Sequence, residues 1–78
     1  MTSKRIGKVI NLHRKTSKLT QRQLADLAGV GKTVVFDIEK GKETVQLNSL
    51  LKVLSVLNIK LEMKSSLMHL MDIENEES

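Results

Sequence analysis

Residues 20–30 read Thr-Gln-Arg-Gln-Leu-Ala-Asp-Leu-Ala-Gly-Val, and this stretch dictates both the start and the stop of a short helix. Thr20 is a natural N-cap, and Gln23 stands three residues later, where it can return a hydrogen bond to the backbone N–H of Thr20. Leu19 and Leu24 occupy the two positions of a hydrophobic staple around that cap. The spacing buries Leu24, Ala25, Leu27 and Ala28. Gly29 follows at once, suited to the left-handed residue that ends a helix. Val30 closes the turn. A second short helix is expected over Lys32–Lys40, with Gly31 as its N-cap and Gly41 closing it. Val35 and Ile38 point inward there, with Val34 at the margin. From Thr20 to Gly41 the chain must therefore hold two short helices joined by a tight glycine turn.

The flanks add two further helices and a strand. Ile6, Val9, Ile10 and His13 recur at helical spacing and predict a first helix over Lys4–Lys15, with Leu12 beside the buried face. Lys4, Arg5, Lys8 and Lys15 lie elsewhere, in solvent or near phosphate. Leu50, Leu51, Val53, Leu54 and Leu57 predict a fourth helix over Ser49–Leu57, capped by Asn48, with Asn58 taking a left-handed position after it. The period then changes. Ile59, Leu61 and Met63 alternate with Lys60, Glu62 and Lys64, which is the pattern of a half-buried strand. Leu67, Met68, Leu70, Met71 and Ile73 suggest a last short helix capped by Ser66, with acidic residues at its end. The expected organisation is a helical domain over 1–58, a strand over 59–64 and an acidic, flexible tail over 65–78.

Seventy-eight residues hold one small domain, and a domain of this size buries a limited share of its surface. There is no cysteine, so neither a disulfide nor a cysteine-based zinc site is available. His13 and His69 are too far apart in the chain to suggest a metal site, and no cofactor is expected. No apolar run approaches a membrane span, and the first residues lack the apolar stretch of a signal peptide, so a cytoplasmic protein is expected. No nucleophile–base pairing, phosphate-binding glycine loop or carboxylate cluster points to an enzyme. Charge is uneven. Residues 1–42 carry ten Lys/Arg against three Asp/Glu, a net of +7, and residues 43–78 carry three against six, a net of −3. A basic half of this kind suits a polyanion-binding face.

The pattern Thr20-Gln21-x-x-Leu24-Ala25-x-x-x-Gly29-Val30, followed by Val35, Ile38, Glu39 and Gly41, closely resembles the Xre/Cro family of phage-repressor-like helix-turn-helix proteins. The resemblance covers about residues 6–57. It implies an all-α fold and sequence-specific recognition of double-stranded DNA. Its base-reading positions map onto Lys32, Thr33 and Asp37, with Phe36 beside them. Lysine can donate to guanine, threonine can bond a base edge or touch a thymine methyl, and aspartate can accept from cytosine. Phe36 offers only apolar contact, with a thymine methyl, with the fourth helix or with a partner chain. Gln21 matches the family's phosphate clamp, at a helix N-terminus that favours anions. Thr20 and Arg22 adjoin it, and Lys40 and Lys42 match the family's backbone-contacting loop. The family pairs an arginine late in the first helix with a glutamate late in the third, here Arg14 and Glu39. Two departures affect which operator is read: Gly31 replaces the usual hydroxyl cap, and Lys32 replaces a frequent glutamine.

A lone strand is not stable by itself, and its free edge invites pairing. The simplest partner is the same strand of a second copy, making a homodimer through Ile59, Leu61 and Met63. A helix-turn-helix followed directly by such a strand resembles the HipB-type antitoxins. That likeness implies a repressor of its own operon that also holds a HipA-type serine/threonine kinase toxin. Within the same DNA-binding class, a prophage repressor or a restriction-modification controller is the alternative.

Overall fold

The computed structural model describes residues 2–67. Four helices follow one another: α1 (Ser3–Thr16), α2 (Gln21–Ala28), α3 (Lys32–Lys40) and α4 (Leu47–Val56). Helix α1 begins one residue earlier than its apolar period suggests, because the Thr2 hydroxyl accepts from the Arg5 N–H at 3.2 Å. Helix α2 is bounded as its sequence dictates. Thr20 Oγ1 accepts from the Gln23 N–H at 3.0 Å, and the Thr20 N–H donates to Gln23 Oε1 at 2.8 Å. Gly29 (φ 72°) and Gly41 (φ 82°) end α2 and α3 in the left-handed region. In each case the following N–H reaches back to a carbonyl of the last turn, Val30 to Ala25 and Lys42 to Asp37, both at 3.0 Å. This satisfies carbonyls that a helix end otherwise leaves free.

Helix α4 starts at Leu47, after Gln46, and neither end residue supplies a side-chain cap. The expected Asn48 cap is thus inside the helix. Its start is set by packing, since Val45 and Leu50 both lie against the core. Asn58 does adopt the left-handed conformation (φ 58°), and the Ile59 N–H closes the end on the Leu54 carbonyl at 2.9 Å. The turn between α1 and α2 uses the same device without a glycine: Lys18 sits at φ 59°, and the Leu19 N–H bonds the Arg14 carbonyl at 3.1 Å.

Ile10, Leu24, Ala25, Val35, Ile38, Val53 and Leu54 form the core, wholly aliphatic. Helix α3 lies on α1 and α2, and α4 closes the layer against α2. Three apolar residues expected inside are not. Val9, Leu27 and Leu51 are 37%, 63% and 45% exposed, and His13 is exposed too, its Nδ1 against the Val9 carbonyl. On α1 the reason is Gly7. It is buried where α1 crosses the end of α3, and a Cβ there would overlap the Ile38 carbonyl oxygen and lie 2.9 Å from that of Glu39. The close crossing turns α1 so that Ile6, Gly7 and Ile10 face inward and Val9 and His13 face out.

Residues 59–65 form no regular element within the single chain. Ile59 packs against the core, whereas Leu61 and Met63 are 43% and 71% exposed. The expected helix beyond Ser66 lies outside the described residues. No helix among the described residues is long and apolar enough to cross a membrane.

Candidate nucleic-acid interface

The outer surface of the α2–turn–α3 unit carries most of the polar residues that the sequence singles out. Lys32 and Thr33 occupy the first turn of α3 and are exposed. Further along α3 the side chains divide between two edges. Asp37 turns toward the loop before α4, where it is half-buried and meets Lys42 at 3.6 Å. Phe36 and Lys40 turn the other way, toward α1 and the start of α2. The five residues Lys32, Thr33, Phe36, Asp37 and Lys40 share the outer side of α3, with Asp37 at one edge and Phe36 and Lys40 toward the other.

Phe36 is the chain's only aromatic residue, and it is 45% exposed rather than in the core. The Lys40 ammonium stands 5.4 Å from its ring centroid, within cation–π range. The ring lines a shallow notch together with Asn11, Arg14 and Lys15 of α1, Gln21 of α2, and Glu39 and Lys40 of α3.

At the back of this notch lies a polar network. Arg14 Nε donates to Glu39 Oε2 at 2.6 Å, and Arg14 Nη2 to Glu39 Oε1 at 3.0 Å. Arg14 Nη1 donates to the Leu19 carbonyl at 2.8 Å, tying the α1–α2 turn to the same group. Asn11 Nδ2 and Gln21 Nε2 donate to Glu39 Oε1 at 2.6 and 3.3 Å. Burial by itself pushes the Glu39 carboxyl upward. The hydrogen bonds from Arg14, Asn11 and Gln21, with the Arg14 charge, outweigh that and hold its pKa below the usual value. Arg14 is correspondingly held more firmly protonated by its bonds to Glu39. The ion pair is shielded, with the two side chains only 12% and 5% exposed, so removing either partner leaves the other as a desolvated, unpaired charge.

The remaining candidates take clear positions. The oxygen of Thr20 is committed to the α2 cap. Arg22 is exposed one residue past Gln21. Gln21 does not project freely, because one amide hydrogen is held by Glu39. Sequence reasoning misses Asn11, although its position three residues before Arg14 places it on the same face of α1. Ile59 and Leu61 lie in a different groove, lined also by Leu51, Leu54 and Ser55, and Met63 is exposed. No cluster of potential metal ligands occurs among the described residues.

A helix-turn-helix family model matches residues 10–63. An uncharacterized HTH-type transcriptional regulator, y4mF, from Sinorhizobium fredii (strain NBRC 101917 / NGR234) is 39% identical over 57 residues, covering 73% of this chain and 75% of that protein. Among solved structures, a chain of the HipA-HipB-O2-O3 complex superposes with a TM-score of 0.76 at 18% identity, over 85% of this chain and 93% of the other. A chain of a HipB-O4 20mer complex gives 0.75 at the same identity, over 85% of this chain and 93% of that one. At that identity the likeness is one of fold.

Proposed function

The chain belongs to the helix-turn-helix family and is a DNA-binding regulator, and from that premise we propose that it acts as a homodimeric repressor which sets α3 of each subunit into successive major grooves of an inverted-repeat operator. The observation that carries this reading is the presentation of α3. Lys32 and Thr33, in its first turn, are exposed, and no side chain caps that end of the helix. Base edges are read at the head of such a helix, and backbone phosphates are held around it. Lys32, Thr33, Phe36 and Asp37 are the base-reading set in this proposal. Thr20, Gln21, Arg22, Lys40 and Lys42 are the phosphate-binding set.

Dimerisation through residues 59–64 is supported by what the single chain leaves unburied. Leu61 and Met63 are 43% and 71% exposed on a segment that forms no regular element within the single chain. Pairing with a second copy covers both. Two subunits so related read half-sites about 34–36 Å apart, or a multiple of that spacing.

Selection of preferred sites from random duplexes tests the reading. The wild-type chain is expected to enrich an inverted repeat. Thr33→Ala and Asp37→Ala change the enriched sequence, whereas Lys42→Ala weakens all duplexes alike. Unchanged selectivity in both Thr33→Ala and Asp37→Ala removes α3 as the reading element. The finer proposal, an antitoxin that holds a HipA-type kinase and represses its own operon, is supported by the fold likeness to HipB. Its test is co-purification with the product of an adjacent kinase gene. Failure to bind any such kinase makes the chain a stand-alone Xre-type regulator.

A further inference from the structure

We propose that the notch between α1, α2 and α3 is a seat for one backbone phosphate, and that Lys15 and Lys40 grip it from opposite walls with the Gln21 amide between them. This inference rests on the DNA-binding reading and deepens it by assigning Lys15, on α1, to the interface. Three observations carry it.

The first is charge. Arg14, Lys15, Lys40 and Glu39 all border the notch. Arg14 and Glu39 neutralise each other in a shielded pair, which leaves Lys15 and Lys40 facing one small depression with no ion-pair partner among the described residues. The second is the state of Glu39. A carboxylate beside a phosphate site repels its ligand unless its lone pairs are engaged. Here Glu39 accepts four hydrogen bonds, from Arg14 twice, Asn11 and Gln21. The bond to Gln21 also fixes that side chain with Nε2 inward, so its second amide hydrogen is oriented without further ordering. The third is Phe36. Its ring holds the Lys40 ammonium at 5.4 Å and so restrains a long side chain on the notch side of α3. Phe36 then also acts as a positioning residue for a phosphate contact.

Each phosphate neutralised by a lysine releases condensed counterions and contributes about 0.9 to the steepness with which log K falls against log salt. The measurement is fluorescence anisotropy of the full chain with a random-sequence duplex of about two helical turns, titrated from about 0.05 to about 0.3 M salt. Lys15→Gln is expected to make the slope shallower by up to about 0.9 for each bound subunit, equivalent to as much as roughly eightfold weaker binding per subunit at 0.1 M salt when the lines meet at 1 M. Lys15→Arg restores the slope. Lys52→Gln removes the same charge from α4, beside Leu27 and Leu51, and leaves the slope unchanged. Phe36→Leu keeps an apolar floor but no π face, and weakens binding about two- to fivefold. Circular dichroism of each variant checks that the fold is intact. If the Lys15→Gln slope equals that of the wild type, or if Lys52→Gln lowers it as much, the notch is not a phosphate seat. If the wild-type chain itself shows no salt-dependent binding to any duplex, the DNA-binding reading fails first and this inference with it.

Discussion

Replacing Gly7 by alanine sets two physical effects against each other, and the sign of the result decides between them. Gly7 lies within α1, where alanine is favoured over glycine by about 0.8–1 kcal/mol. On propensity alone Gly7→Ala stabilises the protein. The structure argues the reverse. The added methyl would meet the Ile38 carbonyl oxygen and come within 2.9 Å of the Glu39 oxygen and 3.1 Å of its carbonyl carbon. These are backbone atoms at the end of α3 and cannot rotate aside as a side chain can. Overpacking costs about 1–3 kcal/mol, and contact with two fixed backbone oxygens places this site at the upper end, about 2–3 kcal/mol; moving α1 away also stretches the Arg14–Glu39 pair, whose Nε–Oε2 distance is 2.6 Å. The net expectation is a loss of about 1–2 kcal/mol. At about 4–8 °C per kcal/mol for a domain of this size, Tm falls by roughly 4–16 °C. Thermal unfolding followed by circular dichroism, at a fixed protomer concentration so that any dimer contributes equally, reads it directly. A Tm equal to or above that of the wild type refutes the close crossing of α1 and α3, and with it the explanation for the outward turn of Val9 and His13.

Further outcomes follow from the same geometry. Gly29→Ala places a methyl in open space at φ 72° and costs only the left-handed penalty of about 1–2 kcal/mol. Gly41→Ala costs more by urea unfolding, because at φ 82° its Cβ also meets Lys4 Cγ at 2.8 Å and Cα at 2.9 Å. Lys18→Gly, at φ 59° in the α1–α2 turn, is expected to raise stability by up to about 1 kcal/mol; a drop in urea midpoint contradicts it. Because the folded-state pKa of Glu39 is depressed, its contribution is fully present above the unfolded carboxylate value of about 4.3 and is lost as pH falls through the folded one. Glu39→Gln should therefore flatten the stability profile below about pH 4 while lowering stability at neutral pH by about 3 kcal/mol, as for a shielded charge left without its partner. Leu61→Lys with Met63→Lys should convert a dimer into a folded monomer in sedimentation experiments. Persistence of the dimer places the contact elsewhere.

The helix-turn-helix was readable because each of its boundaries is written in local chemistry. Thr20 and Gln23 fix the start of α2, and Gly29 and Gly41 end α2 and α3, without reference to anything distant in the chain. Which apolar positions are buried was less readable. Val9, Leu27 and Leu51 satisfy a helical period, yet which of several apolar residues faces inward depends on the distance between helices. Gly7 sets that distance for α1, and a glycine inside a helix carries no apolar signal of its own. The start of α4 was misplaced for a related reason. Asn48 has the chemistry of a cap, but the packing of Val45 and Leu50 begins the helix before it. Residues 59–64 alternate cleanly, but a strand is a property of a pair, and the single chain provides no second edge.

Side-chain spacing on α3 likewise placed the candidate readers near one another but not in their working relations. At 100° per residue, Phe36 and Asp37 diverge enough for neighbouring elements to claim each of them. The loop after Gly41 brings Lys42 to Asp37, so a proposed base contact and a proposed phosphate contact neutralise one another before any DNA is bound. Docking then exchanges that pair for separate contacts. The exchange costs little, because Lys42 is 55% exposed and a pair that open to water is worth at most about 1 kcal/mol. On the opposite edge, Phe36 and Lys40 meet α1 and α2 around a network that cannot be exchanged so cheaply, since Glu39 is shielded and saturated. The surface thus combines an adaptable edge at Asp37 with a preorganised one at Gln21, Glu39 and Lys40. Sequence discrimination is expected to reside on the adaptable edge and in the first turn of α3, and register on the DNA backbone at the preorganised edge.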